Sequence, residues 1–256
     1  TFTTGTAMQL PNAKFDDWHL KGKVYNFWSE GSEEFWGSGN KGASILRSIT
    51  TPDETNTWDG KAGTSVKMES IYALVKFAAG NLFAGYWYGF AEGSMTDGHL
   101  KFGRPFTERP TKLTGYYKYT TGAINQMDKG SDKYDELYPL LKDKDDTCII
   151  WVALGDWDAP IDIITAKTSS KRKMFDPNDS HVIAYGEFTQ GKTIHNFERF
   201  SVELEYRDTY RVPKYLIVVC SSSKYGDYFF GSDQSVMWVD DFTLEYDLSL
   251  IHISEP

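Results

Sequence analysis

The feature that most constrains the fold of this chain is a series of short apolar segments separated by turns rich in Gly, Pro, Asn and Asp. Several segments alternate apolar and polar residues, which is the period of a half-buried β-strand. Nine segments predict strands: SILRSI, TSVKMESIYALV, LTGYYKYT, TCIIWVAL, IDIITAK, HVIAYGEF, FERFSVELEYR, KYLIVVCS and SVMWVDDFTLEY. Helix is predicted at residues 134–142, and a helical turn at residues 32–36. We therefore predict an all-β protein, an antiparallel β-sandwich of jelly-roll type with one or two short helices.

The chain contains no repeat, low-complexity tract or linker that would divide it. With 256 residues, it is long enough for one large β domain. We predict a single domain over residues 15–247 and interpret residues 1–14 as a leader or linker remnant. Residues 248–256, which end in SLIHISEP, look non-native. Because the first residue is not Met and no signal peptide follows, we expect the chain to be cut from a longer precursor with neighbouring domains.

Charge and composition narrow the range of partners. The formal net charge is -9 and the Lys and Arg residues are scattered, which argues against nucleic acid as a partner. No apolar run approaches the roughly 18 residues of a membrane-spanning helix, so we predict no membrane insertion by this segment.

Cys148 and Cys220 lie in apolar runs that antiparallel neighbours could bring together, and either a disulfide or two buried free thiols is compatible with the sequence.

Two short motifs match nucleotide-binding templates in their letters only. Residues 186–193, GEFTQGKT, fit the phosphate-binding loop pattern, but strand alternation resumes soon after Thr193, where that fold requires a helix. We interpret this segment as a hairpin loop. Residues 37–42, GSGNKG, follow a polar aromatic stretch, and we expect neither a buried strand before them nor a helix after them. We therefore predict no nucleotide cofactor.

Motifs of hydrolytic enzymes are missing from the sequence. There is no GxSxG or HExxH, and the five histidines lack metal-ligand spacing. The two carboxylates of a glycosidase usually come from different strands and leave no sequence motif, so hydrolysis stays open as an alternative.

Aromatic residues make up 16% of the chain, and several lie in segments that we predict to be loops. A loop aromatic beside Asp, Gly or Pro is difficult to bury, and its flat face suits the apolar side of a sugar ring. The alternative is that these rings cover the ends of the sandwich. The candidate ligand-binding residues are Trp36, Trp58, Trp157, Tyr225 and Tyr228.

One carboxylate occupies an unexpected position in the last predicted strand. Val236, Trp238, Phe242, Leu244 and Tyr246 recur at every second position, and Asp240 shares their parity. Strict alternation therefore predicts a carboxylate on the buried face. An unpaired buried charge is costly, so it must be bound, hydrogen-bonded or protonated.

Several stretches together resemble one known family. FDDWH, FWGSGNKG, AAGNLFAG, KFGRPFTERPTKLTGYYKYTTG, VVCSSSKYGDYFFGS and MWVDDFTLEYD occur in order over residues 15–247. They are similar to the putative carbohydrate metabolism domain (PCMD) of surface and secreted Bacteroides proteins. The resemblance implies a jelly roll similar to carbohydrate-binding modules, carried by a lipoprotein that is secreted or exported to the outer-membrane surface of a Gram-negative bacterium. It brings no catalytic residues.

The resemblance also implies an answer for Asp240. In many jelly-roll binding modules the first and last strands run side by side and share a structural calcium ion. Here Asp16 or Asp17 and Asp240 would be its ligands, since calcium prefers oxygen. Alternatively, Asp240 accepts backbone hydrogen bonds or pairs with one of three arginines: Arg199, Arg207 or Arg211.

From these features we predict noncovalent binding of a polysaccharide or glycan, with the loop aromatics as the platform. One alternative is a glycoside hydrolase or lyase on the same scaffold. Another is a structural or adhesin module that binds no sugar.

Overall fold

A computed structural model describes residues 7–73 and 76–246. Within these residues the chain forms twenty strands, two α-helices and one 3₁₀ helix at Gly226–Tyr228. In chain order they are β1 (His19–Lys21), β2 (Val24–Asn26), β3 (Trp36–Gly37), α1 (Asn40–Ala43), β4 (Thr50–Asp53), β5 (Ser65–Glu69), β6 (Ile71–Ala73), β7 (Lys76–Ala78), β8 (Asn81–Phe90), β9 (Gly98–Phe102), β10 (Arg104–Pro105), β11 (Lys112–Thr120), β12 (Gln126–Met127), α2 (Tyr134–Leu141), β13 (Cys148–Gly155), β14 (Ile161–Ile164), β15 (Val182–Gln190), β16 (Ile194–Glu203), β17 (Glu205–Tyr206), β18 (Tyr215–Ser221), β19 (Phe230–Gly231) and β20 (Val236–Glu245). The predicted non-native tail, residues 248–256, lies outside the described residues.

Two antiparallel sheets form the sandwich. The larger has nine strands, seven of which run in the order β14-β9-β8-β18-β13-β15-β17, while β10 pairs with β18 and β3 with β8. The smaller has five strands in the order β16-β11-β20-β5-β4. This architecture confirms the predicted antiparallel β-sandwich of jelly-roll type.

The main core lies between the facing sides of the two sheets. Val152 and Val218 come from the larger sheet, Leu113 and Val239 from the smaller, and all four are fully buried. In the smaller sheet, strands such as β11 bury mainly every second side chain, and this selects the register, since a slip of one residue would move the core side chains to the outer face.

A second apolar layer covers the outer side of the larger sheet. Phe83, Ala153 and Ile217 point to this side. Trp157 and Phe175, from the segments after β13 and β14, pack against them. Because the larger sheet is covered on both sides, strands such as β13 are apolar along nearly their whole length, CIIWVALG.

Most predicted strands are present, with two instructive differences. SILRSI is wrong as a strand, because residues 44–46 form a turn directly after α1 and β4 begins only at Thr50. The segment TSVKMESIYALV is broken at Ser70 into β5 and β6, and its last two residues are outside the described part of the chain. The predicted helix at residues 134–142 is confirmed as α2. The helical turn predicted at residues 32–36 is not formed, and Trp36 begins strand β3 instead.

The domain begins earlier than residue 15. Leu10 is buried in the main core, and the side-chain amide of Gln9 exchanges two hydrogen bonds of 2.8 Å with the backbone of Leu244. The amide of Phe242 also donates to the carbonyl of Ala13. Residues 9–14 are therefore an integral part of the sandwich, lying along the last strand, and their interpretation as a leader or linker remnant is wrong.

The segment GEFTQGKT joins the two sheets. Its first part ends β15 in the larger sheet, and β16 starts at Ile194 in the smaller sheet, so strand follows the loop as predicted. The loop is not a hydrogen-bonded hairpin, however, because β15 pairs with β13 and β17 whereas β16 pairs with β11.

The segment GSGNKG differs from its prediction, since strand β3 includes Gly37 and helix α1 starts at Asn40. The buried side chain of Asn40 in this segment ties neighbouring backbone segments together. It donates to the carbonyls of Tyr25 and Thr50 and accepts from the amides of Ile49 and Thr50, at 2.7–2.9 Å. Its glycines allow close packing. A Cβ on Gly42 would come within 2.6 Å of the Trp87 ring.

The two cysteines lie on neighbouring strands, as the sequence allowed, but both are buried free thiols. Cys220 faces Ile150 across the β13–β18 pair, two residues from Cys148 along β13. Burial raises the pKa of the Cys148 thiol to about 12, so it is protonated at neutral pH.

Among the described residues, no helix is both long and apolar enough to cross a membrane.

Candidate functional site

A β-bulge in the last strand decides where Asp240 points. Tyr116 of β11 pairs with Asp240 and Thr114 with Thr243, so two residues of β20 lie opposite the single residue Gly115. Asp241 has a φ of 49°, in the left-handed region. A bulge of this kind reverses the parity of the residues beyond it.

The alternation predicted for β20 is therefore only half correct. Phe242 and Leu244 enter the core as predicted, but before the bulge the core residues are Met237 and Val239. Trp238 and Asp240 lie on the outer face of the smaller sheet. The carboxylate does not enter the core.

Asp240 is nevertheless only 4% exposed, because the loop between β4 and β5 covers it. The backbone amide of Trp58 in this loop donates to Oδ2 of Asp240 at 3.1 Å. Burial raises the pKa of Asp240 to about 6; the amides of Trp58 and Asp241 oppose the shift, and the carboxylates of Asp241 and Asp16 add to it. One alternative posed from the sequence, a backbone hydrogen bond, is thus observed.

Trp58 itself forms an aromatic platform. Its indole stacks on the ring of Tyr116, with 3.9 Å between ring centroids and 10° between ring planes. The Trp58 residue remains 37% exposed. Since one face lies on Tyr116, the accessible surface is the opposite face and the ring edges, which is the arrangement that a flat apolar ligand surface requires.

A second indole lies nearby on the same face. Trp238 donates its ring N–H to Oδ2 of Asp53 at 2.9 Å. Cross-strand pairing places Lys118 on one side of Trp238 and Lys67 on the other, with their ammonium groups 4.5 Å and 5.8 Å from the ring centroid. The Trp238 ring is held in one orientation by these contacts.

Hydrogen-bonding groups surround this second indole. Asn56 donates to Asp53 and accepts from the Lys118 ammonium, each at 2.9 Å. Burial acts to raise the pKa of Asp53, but hydrogen bonds from Thr55, Trp238 and Asn56 outweigh it and lower the pKa to about 2. Asp53 is therefore a charged acceptor at neutral pH. We call the set Trp58, Tyr116, Trp238, Asp53, Asn56, Lys67 and Lys118 the Trp58–Trp238 surface.

The other four predicted ligand-binding aromatics lie elsewhere. Trp36 is 1% exposed, because it is part of β3 and packs in the main core, and Trp157 is 7% exposed in the second apolar layer. Neither ring face is accessible, and the prediction that both are exposed loop aromatics is wrong. Tyr225 and Tyr228 are partly buried against a third apolar cluster that contains Phe230 and helix α2.

Two aromatics of the surface were missed by sequence reasoning. Strict alternation predicts the buried face for Trp238, because the bulge has no clear sequence signal. Tyr116 lies in a strand that was correctly predicted, and its neighbour Tyr117 is the one that enters the core. A period of two along β11, starting from the buried Leu113, was the available signal that Tyr116 and Tyr117 differ.

The residues of the predicted calcium site come only partly together. Asp16 accepts a hydrogen bond from the Thr64 amide at 2.9 Å and lies close enough to raise the pKa of Asp240. Asp17 instead accepts from the Ser29 hydroxyl. No group of three or more His, Cys, Asp or Glu side chains within residues 7–73 and 76–246 is arranged to hold a metal ion. Two carboxylates fall short of the usual six to eight oxygens, and calcium stays a prediction.

Comparisons with known proteins give a consistent result. A family model described as a putative carbohydrate metabolism domain matches residues 14–245. A putative glycoside hydrolase from Bacteroides thetaiotaomicron vpi-5482 shares the fold with a TM-score of 0.68 and 22% identity, over 95% of this chain and 72% of that one. One from Bacteroides vulgatus ATCC 8482 has a TM-score of 0.64 and 22% identity, over 91% and 97%. No curated protein matches the chain.

Proposed function

The chain belongs to the putative carbohydrate metabolism domain family, and from this premise we propose that it binds a polysaccharide or glycan noncovalently on the Trp58–Trp238 surface. The observation that carries the proposal is the exposed Trp58 ring, held flat on Tyr116 beside a second ordered indole. Sugar rings have apolar faces that stack on indoles, and hydroxyl groups at their edges that need hydrogen-bond partners.

The polar groups of the surface support the same ligand. Lys118 can donate, and Asp53 and Asn56 can accept, from positions next to the Trp238 ring. They are already hydrogen-bonded to one another, so their orientation is fixed before a ligand arrives. Preorganised polar groups lose little conformational entropy on binding.

The platform also accounts for the buried carboxylate. Asp240 holds the backbone of Trp58 from below, and Tyr116 holds its ring from the side. A loop residue positioned at both its backbone and its side chain forms a defined surface rather than a flexible cover.

A glycan array and calorimetric titration on residues 7–246 test the proposal, with Trp58→Ala, Trp58→Phe and Tyr210→Ala alongside. We expect Trp58→Ala to weaken binding roughly tenfold to a hundredfold, as for other aromatic contacts that dominate binding. Trp58→Phe should retain most of the affinity. Tyr210 is 83% exposed in the loop between β17 and β18 and serves as a matched aromatic control.

Three other outcomes have different meanings. Absence of binding to plant, host and bacterial glycans would overturn the proposal and favour a structural or adhesin module. Release of reducing ends or unsaturated products from a bound polysaccharide would show a hydrolase or lyase. Binding that Trp58→Ala leaves unchanged would place the glycan site elsewhere on the domain.

We also propose that the protein acts in secreted form or on the outer-membrane surface of a Gram-negative bacterium. Supporting this are the family and the Bacteroides origin of the two structural relatives. Proteinase treatment of intact cells that express the full precursor tests it, because only a surface-exposed domain is digested without lysis.

A further inference from the structure

A cavity of about 340 Å³ lies apart from the Trp58–Trp238 surface, on the outer side of the larger sheet. Its wall is formed by helix α1 with the turn after it, strands β6 and β7, parts of β8 and β9, and the 3₁₀ helix at Gly226–Tyr228. The volume is within the range of sites for small molecules. We call it the Trp87 cavity.

The lining of the Trp87 cavity is mainly apolar. Phe77, Trp87 and Phe229 contribute aromatic rings, and the exposed side chains of Ile45 and Met95 stand at its rim. Ile45 is 68% exposed and Met95 86% exposed. Exposed apolar side chains around a concave apolar surface are typical of a ligand site. A bound ligand shields these side chains from water, and an empty cavity does not.

Phe229, in the wall of the cavity, has an unfavourable backbone conformation. Its φ of 66° is in the left-handed region, which is unfavourable for an aromatic residue. The residue is nevertheless buried, with its ring at the cavity wall. Backbone strain of this kind persists only where the surrounding structure requires it, and it is frequent at ligand sites.

The two ionisable side chains of the cavity differ in whether they have a counter-ion. Lys76 and Asp227 are the two ionisable side chains among the described lining residues. Lys76 has a counter-ion, since its ammonium is 3.4 Å from Asp97, and it lies 4.7 Å from the Phe229 ring centroid. Asp227 makes neither a hydrogen bond nor an ion pair with any side chain or amide in the described part of the chain.

Asp227 is an exposed residue at the edge of the cavity. At neutral pH the cavity therefore has one uncompensated negative charge next to aromatic rings. Both features favour a cation, because a carboxylate forms an ion pair with it and ring faces attract it.

We propose that the Trp87 cavity binds a small molecule with an apolar body and one protonated amine, which pairs with the carboxylate of Asp227. The apolar body occupies the space between Phe77, Trp87 and Phe229. This site is separate from the proposed glycan surface and does not depend on it.

Two probes of equal length, 4-phenylbutylamine and 4-phenylbutanol, test the proposal by calorimetry at pH 8. At this pH the amine is charged and the Asp227 carboxyl is ionised. We expect the amine to bind at least tenfold more tightly than the alcohol. In Asp227→Asn the preference should disappear while binding of the alcohol is unchanged.

Ala78→Phe, which fills the cavity from β7, should abolish binding of both probes. Trp58→Ala is the matched control and should bind the amine like the wild type, which separates this site from the glycan surface. Circular dichroism and thermal melts verify that each variant is folded. The proposal is overturned if neither probe binds, if both bind equally to the wild type, or if either cavity variant retains the amine preference.

Discussion

The carboxylate of Asp240 lies directly beneath the loop that presents Trp58, and its Oδ2 accepts the Trp58 backbone amide at 3.1 Å. This contact joins the last strand to the proposed binding platform. It also takes the carboxylate out of water without giving it a cation from the protein, which is why the pKa of Asp240 is raised to about 6.

The first prediction follows from the sign of this shift. Because the folded-state pKa lies above the ordinary 3.8, the folded protein binds the proton more tightly than the unfolded chain does. The stabilising contribution is complete below about pH 4 and is lost as the pH rises through 6. Asp240→Asn keeps an acceptor for the Trp58 amide and has no charge. We expect it to raise the melting temperature at pH 8 and to leave it nearly unchanged at pH 4.

Glu198→Gln on the exposed face of β16 is the control, and its melting temperature should follow the wild type at both pH values. A lower melting temperature of Asp240→Asn at pH 8 would contradict the prediction. It would mean that the ionised carboxylate has a stabilising partner, of which a bound cation is the first candidate.

The second prediction addresses the proposed calcium ion. With two carboxylates close together, we expect any site at Asp16 and Asp240 to be weak, with a Kd on the order of 10⁻³ M. Calcium at about 10 mM would then stabilise the folded state by about 1.4 kcal/mol. Thermal melts in calcium and in EDTA should differ by roughly 3–5 °C, and Asp240→Asn should remove the difference. Identical wild-type melts would exclude the site.

The layout of the sheets was largely predictable from the sequence, because β11, β13, β15, β16 and β18 have long alternating or apolar runs. β8 and β9 were missed. The segment NLFAGYWYGF has glycines at 85 and 89 and no regular alternation, and its pairing with β9 is itself irregular between Trp87 and Gly89. These strands form part of the Trp87 cavity, so the cavity was not predictable.

The candidate site was only partly predictable for a related reason. Trp58 was identified because a loop Trp between polar residues is difficult to bury. Trp36 has the same local sequence character, but pairing of β3 with β8 places it in the core. Whether a loop aromatic is exposed depends on long-range pairing, which a local pattern does not contain.

The third prediction concerns Gly186, the first glycine of GEFTQGKT. A Cβ on Gly186 would come within 2.1 Å of the carbonyl oxygen of Glu203, where the two sheets approach. Since the obstacle is backbone, the strands would have to move apart, and we expect Gly186→Ala to lower the free energy of unfolding by at least about 2 kcal/mol. Gly89→Ala is the matched control, because no atom lies within 4 Å of its added Cβ. Equal stabilities of the two variants in urea titrations would contradict the prediction.

The fourth prediction concerns Asp146, which is 1% exposed and connects three loops. Its Oδ2 accepts from the Ser223 hydroxyl at 2.5 Å, the Ser232 amide at 2.8 Å and the Ser235 hydroxyl at 2.9 Å. Asp146→Ala leaves these buried donors without their acceptor, which should cost about 3 kcal/mol or more in urea unfolding. Asp145→Ala, at an exposed neighbouring position, should change stability by less than about 0.5 kcal/mol.

The same network links stability to the Trp87 cavity. Ser223 begins the segment that contains Asp227 and Phe229, and its carbonyl accepts the amide of Gly226 at 3.0 Å. Release of Ser223 from Asp146 should therefore loosen the cavity wall, and we expect Asp146→Ala to bind 4-phenylbutylamine more weakly even at temperatures where it is fully folded. If its affinity equals that of the wild type, the wall is held by the packing of Phe229 and Phe230 rather than by the carboxylate.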